Sequence, residues 1–191
     1  MNILIEKSLT EHMQLTQEIM NNSELIDTIS KVVERIVTAY KTDRQLFFCG
    51  NGGSAADAQH LSTELVSRFY MDRKALNAEA LTVNTSTLTA IANDYEYSRV
   101  FARQVEAKAK KGDILIGIST SGSSENVIEA FKVAKKKKVI TIALIGKKSD
   151  AIKEYSDYVI SVPSENTPRI QEMHILIGHI LCENIEKTLF E

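Results

Sequence analysis

The sequence predicts an α/β protein, a three-layer αβα fold in which helices cover a five-stranded parallel sheet, preceded by a helical arm. Three observations predict it. The first 44 residues contain no glycine or proline and carry apolar residues at helical spacing. From residue 45 onward, short apolar runs alternate with helical patterns, which is how strand–helix–strand units read. Only two prolines and eight glycines interrupt the chain, which favours long helices and a regular sheet.

The arm comes first. Leu9, Met13, and Ile19 or Met20 mark one apolar stripe, and Leu25, Ile29, Val32, Val33, Ile36 and Val37 mark a stronger one. Gln45–Cys49 is the first predicted strand, followed by a glycine loop and a helix from about Ser54 to Arg68. Glu79–Val83 is the second strand, with a loop over Val83–Asp94. Asp113–Ile118 is the third, followed by a serine-rich loop and a helix to about Lys137. Val139–Ile145 and Tyr158–Val162 complete the sheet, and Thr167–Phe190 is a closing helix. Residues 1–44 therefore read as an arm and 45–191 as one α/β core. Lys135–Lys138 falls at a predicted helix C-terminus, where cations suit the dipole.

Composition narrows the function. The chain has 191 residues, 43% of them hydrophobic and 25% charged, which excludes disorder, collagen and coiled coil as its main state. With 23 basic and 25 acidic residues the net charge is −2, so no broad cationic field attracts nucleic acid or anionic lipid. Cys49 and Cys182 are too few for a disulfide framework and point to a reducing compartment. No secretory signal and no stretch of ~18 apolar residues is present, so a cytoplasmic protein without a membrane partner is expected.

Ligands of such sheets bind at the carboxyl ends of the strands, and three loops fall there. Cys49-Gly50-Asn51-Gly52-Gly53-Ser54 lacks the spacing of a dinucleotide site or a P-loop. Its glycines let backbone N–H groups approach a ligand, while Asn51 and Ser54 offer side-chain hydrogen bonds. The plainer alternative is a tight turn with Ser54 as the helix N-cap. Ser119-Thr120-Ser121-Gly122-Ser123-Ser124 places five hydroxyls and a glycine before a helix, which is more than an N-cap needs. Neutral donors plus the helix dipole make that loop a phosphate cradle.

Histidines add a second kind of chemistry. His60 and Glu64 are spaced i, i+4, so they share one face of the helix after the glycine loop. On the closing helix, Gln171 and His179 lie about 80° apart on the wheel but about 12 Å apart along the axis, a stretch for two ligands of one metal. His174 lies about 140° from His179 and reads as a surface or interface residue. Cys49 reads as a buried structural thiol.

The segments GNGGSAADAQH, HLSTEL, ANDY, GISTSGSSENV and RIQEMHILIGH, in this order, resemble the phosphoheptose isomerases, a branch of the sugar-isomerase (SIS) domain proteins. The resemblance implies a homotetramer with shared active sites and the conversion of sedoheptulose 7-phosphate to D-glycero-D-manno-heptose 7-phosphate. That reaction begins the synthesis of nucleotide-activated heptose for surface polysaccharide. It implies Glu64 and His179 as the acid–base pair and His60, Glu64, Gln171 and His179 as ligands of one Zn²⁺ per subunit. Asn51, Gly52, Gly53, Glu64, Asn93, Asp94, Ser119, Thr120, Ser121, Ser124 and Gln171 would contact the sugar phosphate, with Arg68 and Thr167 as weaker candidates. Pro168, where relatives usually carry alanine, changes the start of the closing helix. Glu96 stands where a glycine is common. The other reading is a non-catalytic SIS module that binds a sugar phosphate or a protein, as a relative does with the bacterial replication initiator. The retained Glu64 and His179 favour the enzyme.

Overall fold

The computed structural model describes residues 2–148 and 151–191. Two helices open the chain, α1 (Asn2–Met20) and α2 (Ser23–Lys41). Asn22 ends the turn between them by accepting a hydrogen bond from the Leu25 amide at 3.0 Å, as an N-cap does. Then follow β1 (Leu46–Gly50), α3 (Gly53–Val66), β2 (Ala78–Ala80), α4 (Thr85–Asp94), α5 (Ala102–Lys108), β3 (Ile114–Ser119), α6 (Glu125–Lys136), β4 (Ile140–Ile145), β5 (Tyr158–Ser161) and α7 (Thr167–Phe190).

All strand pairs are parallel and the order is β2-β1-β3-β4-β5. Alternate residues of a strand face opposite sides, and each side has its own core. Leu46, Phe48, Ile114, Ile116, Ile118, Ile142 and Leu144 pack beneath α1, α2, α3 and α7. Phe47, Cys49, Leu115, Ala143 and Ile145 pack beneath α5 and α6. The three layers follow from that alternation. No helix among the described residues is long and apolar enough to cross a membrane.

The closing helix has the predicted bounds, and the strand ends shift by about one residue except at β2, which keeps only three residues. Two helices were not predicted. The expected loop over Val83–Asp94 is mostly α4, started by Asn84, whose side chain accepts from the Thr87 amide at 2.9 Å. Its threonine-rich sequence, TSTLTAIAND, has weak helix propensity and hides it. The α5 helix has seven residues, too short for a clear period. The lysine run closes α6: Lys135 pairs with Asp157, and Lys137 donates to the Val105 carbonyl at 3.2 Å. Pro168 sits in the first turn of α7, where a missing N–H costs nothing.

Candidate active site

In this strand order the direction of winding reverses between β1 and β3, and their carboxyl ends open the crevice where α/β sheets bind ligands. Two amides join the loops across it. Asn51 Nδ2 donates to Asn126 Oδ1 at 2.9 Å and Asn126 Nδ2 donates back at 2.8 Å, a closed pair with Asn126 buried. Tyr97 donates its hydroxyl to Asn51 Oδ1 at 3.1 Å. Asn51 is therefore held at the crevice by its side chain.

The serine loop is organised by its own hydroxyls. Ser119 and Ser124 hydroxyls meet at 2.9 Å, and the Gly122 amide donates to Ser119 Oγ at 3.1 Å. Ser123 donates its hydroxyl to Ser121 Oγ at 3.0 Å. Gly122 has φ +61°, which a side chain would strain. Ser124 precedes the first turn of α6 but makes no side-chain cap, so its hydroxyl belongs to the loop. Ser119 is buried, Thr120 and Ser124 are half-buried, and Ser121 is exposed. The arrangement gathers hydroxyls just before the first turn of α6, where an anion cradle would sit.

Next to it stands the first turn of α3. Its N-cap is Gly52, with φ +54° and no side-chain cap, so the expected alternative of Ser54 as N-cap does not hold. Ser54 lies inside the helix and is buried. A Cβ on Gly53 would lie 2.5 Å from Gln171 Nε2, so glycine makes room for the Gln171 side chain over this turn. Asn93 and Asp94 end α4, exposed, with Asn93 Nδ2 donating to Asp94 Oδ1 at 2.9 Å. Arg68 and Thr167 are exposed as well.

Along α3 from Gly53, the face carries Asp57, His60 and Glu64 in turn. The α7 helix runs beside it, and the two meet closely because position 178 is glycine: a Cβ there would lie 2.6 Å from Leu61. That approach brings His179 to His60, with Nε2 atoms 2.9 Å apart. Glu64 Oε1 lies 3.2 Å from His60 Nε2, and all three donors fall within 4.8 Å of one another. Phe69 covers His179, ring centroids 5.7 Å apart. Zinc bonds of about 2.0–2.1 Å put tetrahedral ligand atoms about 3.3 Å apart, close to these separations. The three side chains therefore fit a divalent ion. Gln171, over Gly53, stands about 12 Å back from His179 along the helix axis, so one chain brings together three of the four expected ligands.

His174 is corrected. It is fully buried, not at the surface, and burial pushes its imidazole down to about 4, the Ile145 carbonyl opposing. It belongs to the apolar stripe Ile170, His174, Ile177 and Leu181, which angle from His179 alone did not reveal. Residues missed in the sequence also appear. Asp57 has one carboxylate oxygen without a hydrogen-bond partner, and burial raises its pKa although His60 pulls the other way. Its i, i+3 and i, i+7 spacing to His60 and Glu64 was the available signal. Asn126, Tyr97 and Phe69 had none, since their roles depend on contacts from other elements.

Known proteins share this sequence pattern and fold. The SIS domain family matches residues 11–146. A phosphoheptose isomerase of Clostridium acetobutylicum is 52% identical over 190 residues, covering 100% of this chain and 97% of its own. One from Sulfurimonas denitrificans is 49% identical, covering 97% and 95%. The structure of phosphoheptose isomerase GmhA from Neisseria gonorrhoeae superposes with a TM-score of 0.91 at 39% identity, over 97% of this chain and 98% of that one. This chain belongs to the phosphoheptose isomerases of the SIS domain family.

Proposed function

We propose that this protein interconverts sedoheptulose 7-phosphate and D-glycero-D-manno-heptose 7-phosphate through an enediol. The observation that carries the reading is the meeting of His60 and Glu64, on the helix whose first turn borders the phosphate cradle, with His179 of α7. Phosphate bound at Ser119, Thr120, Ser121 and Ser124 would fix the remote end of the sugar. Asn51, Gly52, Gly53, Asn93, Asp94 and Gln171 would line its chain. Such anchoring turns a loose encounter into a positioned one.

Ketose-to-aldose conversion removes a proton from C1 and returns one to C2, while the carbonyl and hydroxyl exchange places. Glu64 takes and returns the carbon-bound proton. His179 moves the proton between the oxygens. Each such positioned group contributes roughly 10²–10⁴-fold. His60, Glu64 and His179, with Gln171 as the fourth candidate, would hold a zinc ion, which would supply positive charge where the oxygens become negative.

The protein acts as a homotetramer in the cytoplasm, at the start of nucleotide-activated heptose synthesis for surface polysaccharide. Support for association lies in α1, which leaves Ile3, Leu4, Leu9, Met13 and Met20 exposed, and in α4, which buries no residue. A groove of about 360 Å³ between α1, α2 and α7, lined by Met20, Ile26, Leu176 and Ile180, continues that apolar surface. Four copies by light scattering are expected; a monomer at micromolar concentration removes the shared-site reading.

The activity is tested with sedoheptulose 7-phosphate in D₂O, followed by proton NMR. Deuterium at C2 of the aldose, lost in Glu64→Gln, is the expected result. Turnover without exchange would instead indicate a hydride shift, and no turnover with retained binding would indicate a sensor.

A further inference from the structure

Between α3 and β2 the chain runs over residues 67–77 without helix or strand, yet two of the most deeply buried charges in the protein meet there. Arg73 Nε and Glu186 Oε1 are 2.9 Å apart, with side chains 3% and 0% exposed. Removing two charges from water is costly, and well-packed apolar side chains of the same volume would close the interior at no greater expense. The pair makes sense through its other hydrogen bonds.

Those bonds lead to the active site from two directions. Glu186 accepts from the amides of Tyr70 at 2.8 Å, Met71 at 3.1 Å and Phe69 at 3.3 Å. Burial favours the neutral acid, but these three N–H groups and Arg73 hold Glu186 below the usual carboxylate range. Phe69, fixed in this way, lies against the imidazole of His179 with ring centroids 5.7 Å apart and planes at 35°. Arg73 donates in the other direction. Its guanidinium reaches the carbonyls of Glu64 at 2.9 Å, Leu65 at 2.7 Å and Ser67 at 2.7 Å, satisfying the last turn of α3. A single ion pair thus holds the backbone of Glu64 and the ring that covers His179.

We infer that Arg73 and Glu186 are positioning residues for the acid–base pair: the clamp sets the height of Glu64 at the end of α3 and, through Phe69, the orientation of the His179 ring. The inference rests on the reading of Glu64 and His179 as that pair. Glu186 itself lies on α7, seven residues beyond His179, so the clamp also joins the two helices on which the pair resides.

The test compares wild type with the paired variant Arg73→Met plus Glu186→Met, with Phe69→Leu, and with Glu64→Gln and His179→Gln. The paired variant leaves no lone buried charge and so avoids the penalty of removing one partner alone. Readouts are kcat and KM on sedoheptulose 7-phosphate, and the His179 ring resonances in protein labelled with ¹³C-histidine. The expected result is a kcat lower by roughly tenfold or more, with KM little changed, because positioning acts on the reacting geometry. Phe69→Leu is expected to move the His179 resonances and lower kcat in part. A folded paired variant with wild-type kcat overturns the inference. If the paired variant does not fold, Phe69→Leu decides: unchanged kcat with unmoved His179 resonances also overturns it. Should Glu64→Gln and His179→Gln turn over normally, the acid–base reading fails and the clamp's role fails with it. If those two are inert while the clamp variants keep full kcat, only the clamp falls.

Discussion

The Nε2 atoms of His60 and His179 face each other at 2.9 Å, although 119 residues separate them in sequence. Two neutral imidazoles meeting nitrogen to nitrogen can share only one proton. With Glu64 at 3.2 Å from the same His60 atom, the three lone-pair donors converge as ligands of a cation do.

That convergence makes metal content the first expectation. Purified protein equilibrated with zinc should hold about one ion per chain by elemental analysis, and His60→Ala or His179→Ala should weaken it by at least tenfold. Equal zinc content in all three proteins would show that the cluster holds none.

The contact depends on glycine at position 178. A valine there would drive its branched side chain into Leu61, which a single added Cβ already approaches to 2.6 Å. Overpacking of this kind costs about 1–3 kcal/mol. Gly178→Val should lower the urea midpoint and weaken zinc binding together, since both follow from pushing α7 off α3. An unchanged midpoint would mean that the helices have room to spare.

The serine loop is expected to bind the phosphate with neutral donors. Hydrogen bonds to a charged group contribute about 1.5–3 kcal/mol each. Ser119→Ala combined with Ser121→Ala should therefore raise KM, and lower kcat/KM by at least roughly tenfold. Inhibition by inorganic phosphate should weaken in parallel. Kinetics like those of wild type would remove the loop from the binding site.

His174 should set an acid limit to stability. Its pKa is about 4 when folded and 6.5 in the reference state, so the unfolded chain takes up a proton that the folded one refuses. The stabilisation is complete above the unfolded value and is lost as pH falls from about 6.5 to about 4, by roughly 3 kcal/mol in all. Urea titrations between pH 7 and 4 should show a shallower loss for His174→Gln than for wild type. Parallel curves would mean that the imidazole is protonated in the folded protein.

Much of this protein could be read before its structure. The sheet, the arm and the closing helix followed from apolar spacing, because period and burial are local properties of sequence. The serine loop was legible for the same reason: five hydroxyls in six residues exceed what a helix start needs. His60 and Glu64 were legible as a pair because a helix places i and i+4 side by side. Even so, α4 went unread, since its threonines hide a helix that begins at Asn84.

Tertiary structure decided the rest. Sequence spacing made Gln171 and His179 a stretch for one metal, and in the fold His179 finds its partners on α3 while Gln171 stands over Gly53. The burial of His174, the amide pair of Asn51 and Asn126, and the clamp of Arg73 and Glu186 all join segments dozens of residues apart. By itself, the sequence determined which local elements hold the candidate residues. Which of them meet depended on how closely α3 and α7 pack, and that distance is set by Leu61 lying against a position with no side chain.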